Sequence, residues 1–192
     1  TDAPYWVSCG GANYFLTLQT DMIVGNYTVD WGDGSPLQVG TGFGPADLSV
    51  NHLYLATVDT FILVFTPDPG LFPGCQITGV VVMEEKTTSE IGIPFGVDLS
   101  VCVPGDFSFI NNSNQTSGKP VSETTVFTWD FGDGSPPVVY DNTNVGQMVT
   151  HTYLPNNSGC GITVSLTADN YCGVTTSTFG TINTWDVDTA HI

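Results

Sequence analysis

The sequence predicts an all-β protein of two tandem antiparallel β-sandwiches, on three observations. Tyr27-Thr-Val-Asp-Trp-Gly-Asp-Gly-Ser-Pro36 returns 100 positions on as Phe127-Thr-Trp-Asp-Phe-Gly-Asp-Gly-Ser-Pro136, the mark of a duplicated module. Within each copy large apolar and polar residues alternate, the period of a strand with one face on a core. The 22 Gly and 12 Pro lie scattered between short apolar runs, which supplies turns and leaves little room for helices.

Taken in order, the first module reads as strands near Tyr14–Leu18, Tyr27–Trp31, Thr60–Thr66 and Thr78–Glu84, with weaker signals near Leu37–Val39 and Leu48–Val50. The second repeats them near Asp106–Ile110, Thr125–Phe131, Pro137–Tyr140, Gln147–Thr150, Gly161–Ala168 and Val174–Ile182. In each repeated block Gly-Asp-Gly (Gly32, Asp33, Gly34; Gly132, Asp133, Gly134) permits the positive backbone angles of a tight turn, and Pro then ends the pairing. The polar stretch Lys86–Glu90 interrupts the apolar pattern, so the modules are expected at 1–88 and 89–192, the second carrying the start of a linker to a following module.

Two further residues recur in step, in Asn51-His-Leu-Tyr54 and Thr150-His-Thr-Tyr153. A Tyr at this place suits a corner in which its hydroxyl bonds to nearby backbone while its ring fills the sandwich edge. Because His52 and His151 repeat with Tyr54 and Tyr153, they are expected to orient the turn and not to catalyse or bind metal.

Charge excludes whole classes of partner. With Lys+Arg 2 against Asp+Glu 19 and a net charge of −17, nucleic acid and anionic membrane surfaces are repelled. The longest apolar runs, Phe61–Phe65 and Val80–Met83, have strand length and are too short to cross a bilayer as helices. No basic, apolar leader stands at Thr1, and the chain is expected to be a mature fragment of a longer polypeptide whose export signal and anchor lie elsewhere.

The five cysteines respect the repeat. The simplest pairing is Cys9–Cys75 and Cys102–Cys172, each closing a loop of about 65 to 70 residues and contributing roughly 4 kcal/mol on the chain-entropy account. Such bridges predict an oxidising, extracellular location. Cys160 is left over, either competing for Cys102, staying free or pairing outside the fragment; zinc is a weaker alternative, since no C-x-x-C pair or clustered His accompanies these residues.

The strand, turn and His-x-Tyr arriving in this order resemble the PKD domain, the module named after polycystic kidney disease. The second copy carries the resemblance best through Trp129, Phe131, Gly132, Asp133, Gly134 and Tyr153; the first has Val29 where the family usually has Trp, and Trp31 in place of Phe. The resemblance covers nearly the whole chain and implies two immunoglobulin-like sandwiches, found mainly in extracellular proteins. Acidic tandem copies rich in Asn and Thr look most like giant repeat adhesins of bacterial surfaces, with the SprB-like gliding-motility adhesins of Bacteroidota as the nearest in style. Several family members bind calcium through an Asp-x-Asp-Gly loop, but the loops at 20–26 and 111–117 lack it.

Three functions follow as expectations. The paired carboxylates Asp30 with Asp33, and Asp130 with Asp133, are the only acid–base material, yet they recur in both modules at turns they can cap, so no enzyme is predicted. The same four are calcium candidates, aided by Asp98, Asp106, Asp186 and Asp188 near module ends. Aromatics in loops or near module ends, chiefly Trp6 and Phe43 with Tyr5, Phe72 and Trp185, are candidate contacts for a sugar or protein ligand. The preferred reading is a non-catalytic stalk or adhesive segment of a surface adhesin, whose partners are neighbouring modules and an extracellular polysaccharide or protein; the alternative is an accessory binding module of a secreted protease or polysaccharide-degrading enzyme.

Overall fold

The computed structural model describes residues 3–155 and 161–186; Cys160 and Asp188 lie outside them. The chain divides into two compact units, Thr1–Glu84 and Glu85–Ile192. In the first, β1 (Tyr5–Cys9), β7 (Ile77–Glu84), β6 (Asp59–Pro67), β3 (Gly25–Asp30) and β4 (Gln38–Phe43) form one sheet in that order, and β2 (Tyr14–Thr17) pairs with β5 (Asn51–Tyr54) across from it. The second repeats the plan with β9 (Ser100–Val103), β15 (Gly173–Asp186), β14 (Ile162–Asn170), β11 (Val126–Asp130) and β12 (Val138–Tyr140), opposite β10 (Gly105–Asn111) and β13 (Met148–Tyr153). Here the smaller sheet gains a third strand, β8 (Ile91–Gly92), which pairs with β10. This two-layer order is that of an immunoglobulin-like sandwich.

The alternation read in the sequence sets the inner face. Val29 and Trp31 are buried at 0% and 1% exposure, as are Phe127 and Trp129 at 0%, while Asp30 and Asp130 at the strand ends face solvent. Trp31, Tyr54 and Leu63 anchor the first core, and Phe109, Trp129, Tyr153 and Leu166 the second. Each such side chain contributes about 1.5–3 kcal/mol by leaving water.

The sandwiches are not wholly antiparallel. β1 runs parallel to β7, with Tyr5 opposite Val80, and β9 runs parallel to β15, with Ser100 opposite Asn183. These edge strands escape a sequence reading because neither shows clean alternation: Tyr5–Cys9 is only partly buried along its middle. Tyr5 and Trp6, expected near a module end, and Trp185 therefore lie within strands.

The cysteine pairing also differs from expectation. Cys75 and Cys102 are free and exposed, whereas Cys9 and Cys172 are disulfide-bonded. The reason is strand direction. Cys9 sits opposite Glu84 at the end of β7, but Cys75 precedes the start of that strand, a separation on the order of 25 Å at strand rise. Cys102 likewise faces Trp185 near the end of β15, while Cys172 precedes its start. A disulfide tolerates Cα atoms no more than about 7 Å apart.

Candidate functional sites

The repeated turn builds the same brace in both units. Asp30 Oδ1 accepts from the Gly32 amide at 3.0 Å and Asp33 Oδ1 from the Ser35 amide at 3.0 Å; Asp130 and Asp133 do the same for Gly132 at 2.9 Å and Ser135 at 3.0 Å. Such local acceptors fix a turn without help from a ladder. Gly32 and Gly132 take φ of 77° and 74°, and a Cβ there would stand 2.4 Å from Ile62 O and 2.1 Å from Thr163 O. Only glycine lets the turn lie against the neighbouring strand.

The second carboxylate oxygen of each inner Asp reaches across the unit. Asp33 Oδ2 lies 2.7 Å from His52 Nε2, and Asp133 Oδ2 lies 3.0 Å from His151 Nε2. The His52 ring stacks on Trp31 at 4.9 Å and meets Tyr54 edge-on; His151 lies flat on Phe131 at 4.0 Å and meets Tyr153 edge-on. Tyr54 donates its hydroxyl to Trp31 O at 3.0 Å and Tyr153 to Phe131 O at 3.2 Å. The tyrosine acceptor is thus the carbonyl just before the Gly-Asp-Gly turn, over 20 residues upstream, and not backbone near the tyrosine itself.

Electrostatics follow from these contacts. Burial alone would raise the Asp133 carboxyl, but bonds from Ser135 and His151 outweigh it and hold the pKa down to about 2. Asp33 is lowered for the same reasons, burial opposing and Ser35 with His52 prevailing. Tyr54 and Tyr153 are raised, first by burial and then by the adjacent Asp charge. The arrangement keeps Asp ionised and Tyr neutral, which suits a fixed hydrogen-bond brace. All four carboxylates predicted as calcium or acid–base candidates accept from their own turn's backbone, and among the described residues no three His, Cys, Asp or Glu gather as a metal would require.

The indole donors diverge between the copies. Trp31 Nε1 donates to Gln38 Oε1 at 3.0 Å, whereas Trp129 Nε1 donates at 3.1 Å to Asn144 Oδ1, a buried acceptor that also receives Asn111 Nδ2. Each indole thereby enters the core with its polar atom satisfied.

A cavity of about 730 Å³ opens in the first unit. Trp6, Leu18, Thr20, Phe43, Phe72 and Cys75 are among its walls, so three of the aromatics proposed from sequence as ligand contacts converge there. Phe43, however, is 2% exposed and belongs to the core, and Tyr5 and Trp185 take no part. The origin of the space is legible in the registers. Opposite Leu63 stands Gly79, whereas opposite the equivalent Val164 stands Phe179, packed on the second core. At Gly79 a Cβ would lie 2.5 Å from Trp6: the indole of β1 covers part of what the phenyl ring fills in the second unit, and the remainder stays open. The substitution of Gly79 for a bulky residue was the available signal.

No protein-family profile matches the chain, and no curated protein does. Among solved structures, it is similar to the CD2-binding domain of CD58 at 7% identity and a TM-score of 0.45, over 92% of this chain and 96% of that one. The amphioxus IgVJ-C2 molecule is similar at 16% identity and a TM-score of 0.41, over 92% and 99%, and murine CEACAM1b at 11% and 0.43, over 96% of both. These TM-scores lie below 0.5, and the sandwich description rests on this chain's own strand order.

Proposed function

We propose that the chain is a pair of tandem PKD-type sandwiches serving as a non-catalytic extracellular segment of a surface adhesin, the gliding-motility adhesins being the nearest in style. One observation carries the reading: the recurring sets Asp33–His52–Tyr54 and Asp133–His151–Tyr153 are engaged in both units in bracing the turn and its backbone. A catalytic site has no reason to be duplicated and packed flat against core aromatics. The net charge of −17 favours solubility of such a segment through self-repulsion. Calcium is no part of this reading, in which Oδ1 of each candidate carboxylate holds its own turn's amide; a melting temperature raised by calcium would return it.

Pulling the chain by its ends in a force spectrometer tests the proposal, with two separate unfolding events expected and adhesion of chain-coated beads to cells or polysaccharide as the companion readout. A hydrolytic activity lost in Asp133→Asn without loss of fold would overturn it. Binding to polysaccharide alone, with a single soft unfolding event, would favour an accessory module of a degradative enzyme.

A further inference from the structure

Asp33 and Asp133 each precede a glycine, in the identical stretches Gly32-Asp-Gly-Ser35 and Gly132-Asp-Gly-Ser135. An Asp-Gly bond is open to an internal reaction because glycine has no Cβ to shield its amide nitrogen. The Gly34 nitrogen attacks Cγ of the protonated Asp33 carboxyl; the amide hydrogen and the carboxyl hydroxyl leave as water, and a succinimide ring closes. Water then reopens the ring at the former backbone carbonyl. The chain now runs through the side-chain carbon as isoaspartate, and the α-carboxylate is left free. Both turns present the nucleophile: Gly34 and Gly134 take φ of 80° and 81°, nothing stands within 4 Å of a Cβ built at either, and among the described residues neither amide donates to a backbone carbonyl.

What differs is the hold on the carboxyl. Before Cγ can turn onto the chain, Oδ1 must leave the serine amide, 3.0 Å away in both copies, and Oδ2 must leave the imidazole, at 2.7 Å in the first and 3.0 Å in the second. The longer imidazole contact would make Asp133 the looser of the two, yet both distances are those of ordinary hydrogen bonds. Burial decides. The Asp133 side chain is 2% exposed and its His151 ring lies 4.0 Å from Phe131, whereas the Asp33 side chain is 18% exposed and its His52 ring lies 4.9 Å from Trp31. A polar tetrahedral centre that must shed water is costly to form out of solvent. The Asp133 pKa, held down to about 2, also keeps the protonated form scarce there. We propose that Asp33-Gly34 is the site of spontaneous isoaspartate formation in this chain, that the His52 contact restrains it, and that the buried Asp133-Gly134 is spared. Isoaspartate adds one carbon to a backbone turn already tight against its neighbour, since a Cβ on Gly32 would stand 2.4 Å from Ile62 O, so the modified first unit loses its brace. This chemistry is independent of the adhesin reading.

The experiment ages the whole chain at neutral pH, native and in urea, and scores isoaspartate at both positions in chymotryptic peptides by electron-transfer fragmentation. In urea the two sites should convert alike, because their neighbours are identical. In the native chain Asp33 should convert on the order of tenfold faster than Asp133. His52→Phe keeps a ring on Trp31 but removes the donor to Asp33. It should raise the Asp33 rate by on the order of tenfold, the worth of one hydrogen bond to a charged acceptor. Tyr54→Phe removes the hydroxyl bond to Trp31 O and leaves the partners of Asp33 in place, so it should leave that rate unchanged. Equal native rates, no conversion at Asp33 while the chain in urea converts, or the same ranking in urea as in the native chain would overturn the inference. It is likewise overturned if His52→Phe ages as wild type does, or if Tyr54→Phe ages as fast as His52→Phe, which would mean that local unfolding and not the imidazole sets the rate.

Discussion

His151 lies flat on Phe131 with ring centroids 4.0 Å apart while its Nε2 reaches Asp133 Oδ2 at 3.0 Å. One imidazole thereby joins the acidic turn to the aromatic core, and His52 does the same between Trp31 and Asp33 at 4.9 and 2.7 Å. The pair of braces differs in burial, with the Asp133 side chain 2% exposed and that of Asp33 18%.

That difference ranks two substitutions. Asp133→Asn should destabilise the second unit by roughly 1–3 kcal/mol, since a buried acceptor is replaced by an amide facing the same donors. Asp33→Asn should cost less. Urea midpoints of the two variants measure the order, and equal midpoints would contradict it.

Acid should act through the same carboxylate. With the Asp133 pKa depressed to about 2 from an ordinary 3.8, the native state favours the ionised form, so this stabilisation is present above the unfolded value and disappears as pH falls through the native one. The contribution is about 2 kcal/mol. Denaturation of wild type and Asp133→Asn at pH 7, 4 and 2 should therefore show the gap between them closing only at the acid end.

Glycine replacements separate backbone strain from collision. Gly134 has φ of 81° with nothing near a Cβ, whereas at Gly132 φ is 74° and a Cβ would meet Thr163 O at 2.1 Å. Gly134→Ala should cost about 1–2 kcal/mol for the left-handed conformation alone. Gly132→Ala should cost clearly more, or prevent folding, and calorimetry of both variants checks the ranking.

Removing one hydroxyl tests the corner. Tyr153→Phe leaves the ring in place but deprives Phe131 O of its donor at 3.2 Å, an expected loss of about 1–2 kcal/mol. Thermal melts should show the drop with unchanged near-ultraviolet dichroism, and no shift would mean water replaces the hydroxyl.

The sequence by itself determined the duplicated module, the β class, the alternation that buries Val29 and Trp31, and the glycine turn, because each is written in local period and local conformational demand. It also pointed to His52 and Tyr54 as structural through their repetition. Tertiary structure alone decided that Asp33 meets His52, that Tyr54 bonds the Trp31 carbonyl, that edge strands run parallel, and that Cys75 stands far from Cys9. Those outcomes depend on which strands become neighbours and in which direction, a long-range choice that no short window of residues encodes. The cavity belongs with them: Gly79 and Trp6 lie far apart in the chain, and only the pairing of β1 with β7 puts an indole over a missing side chain and leaves the rest of the space open.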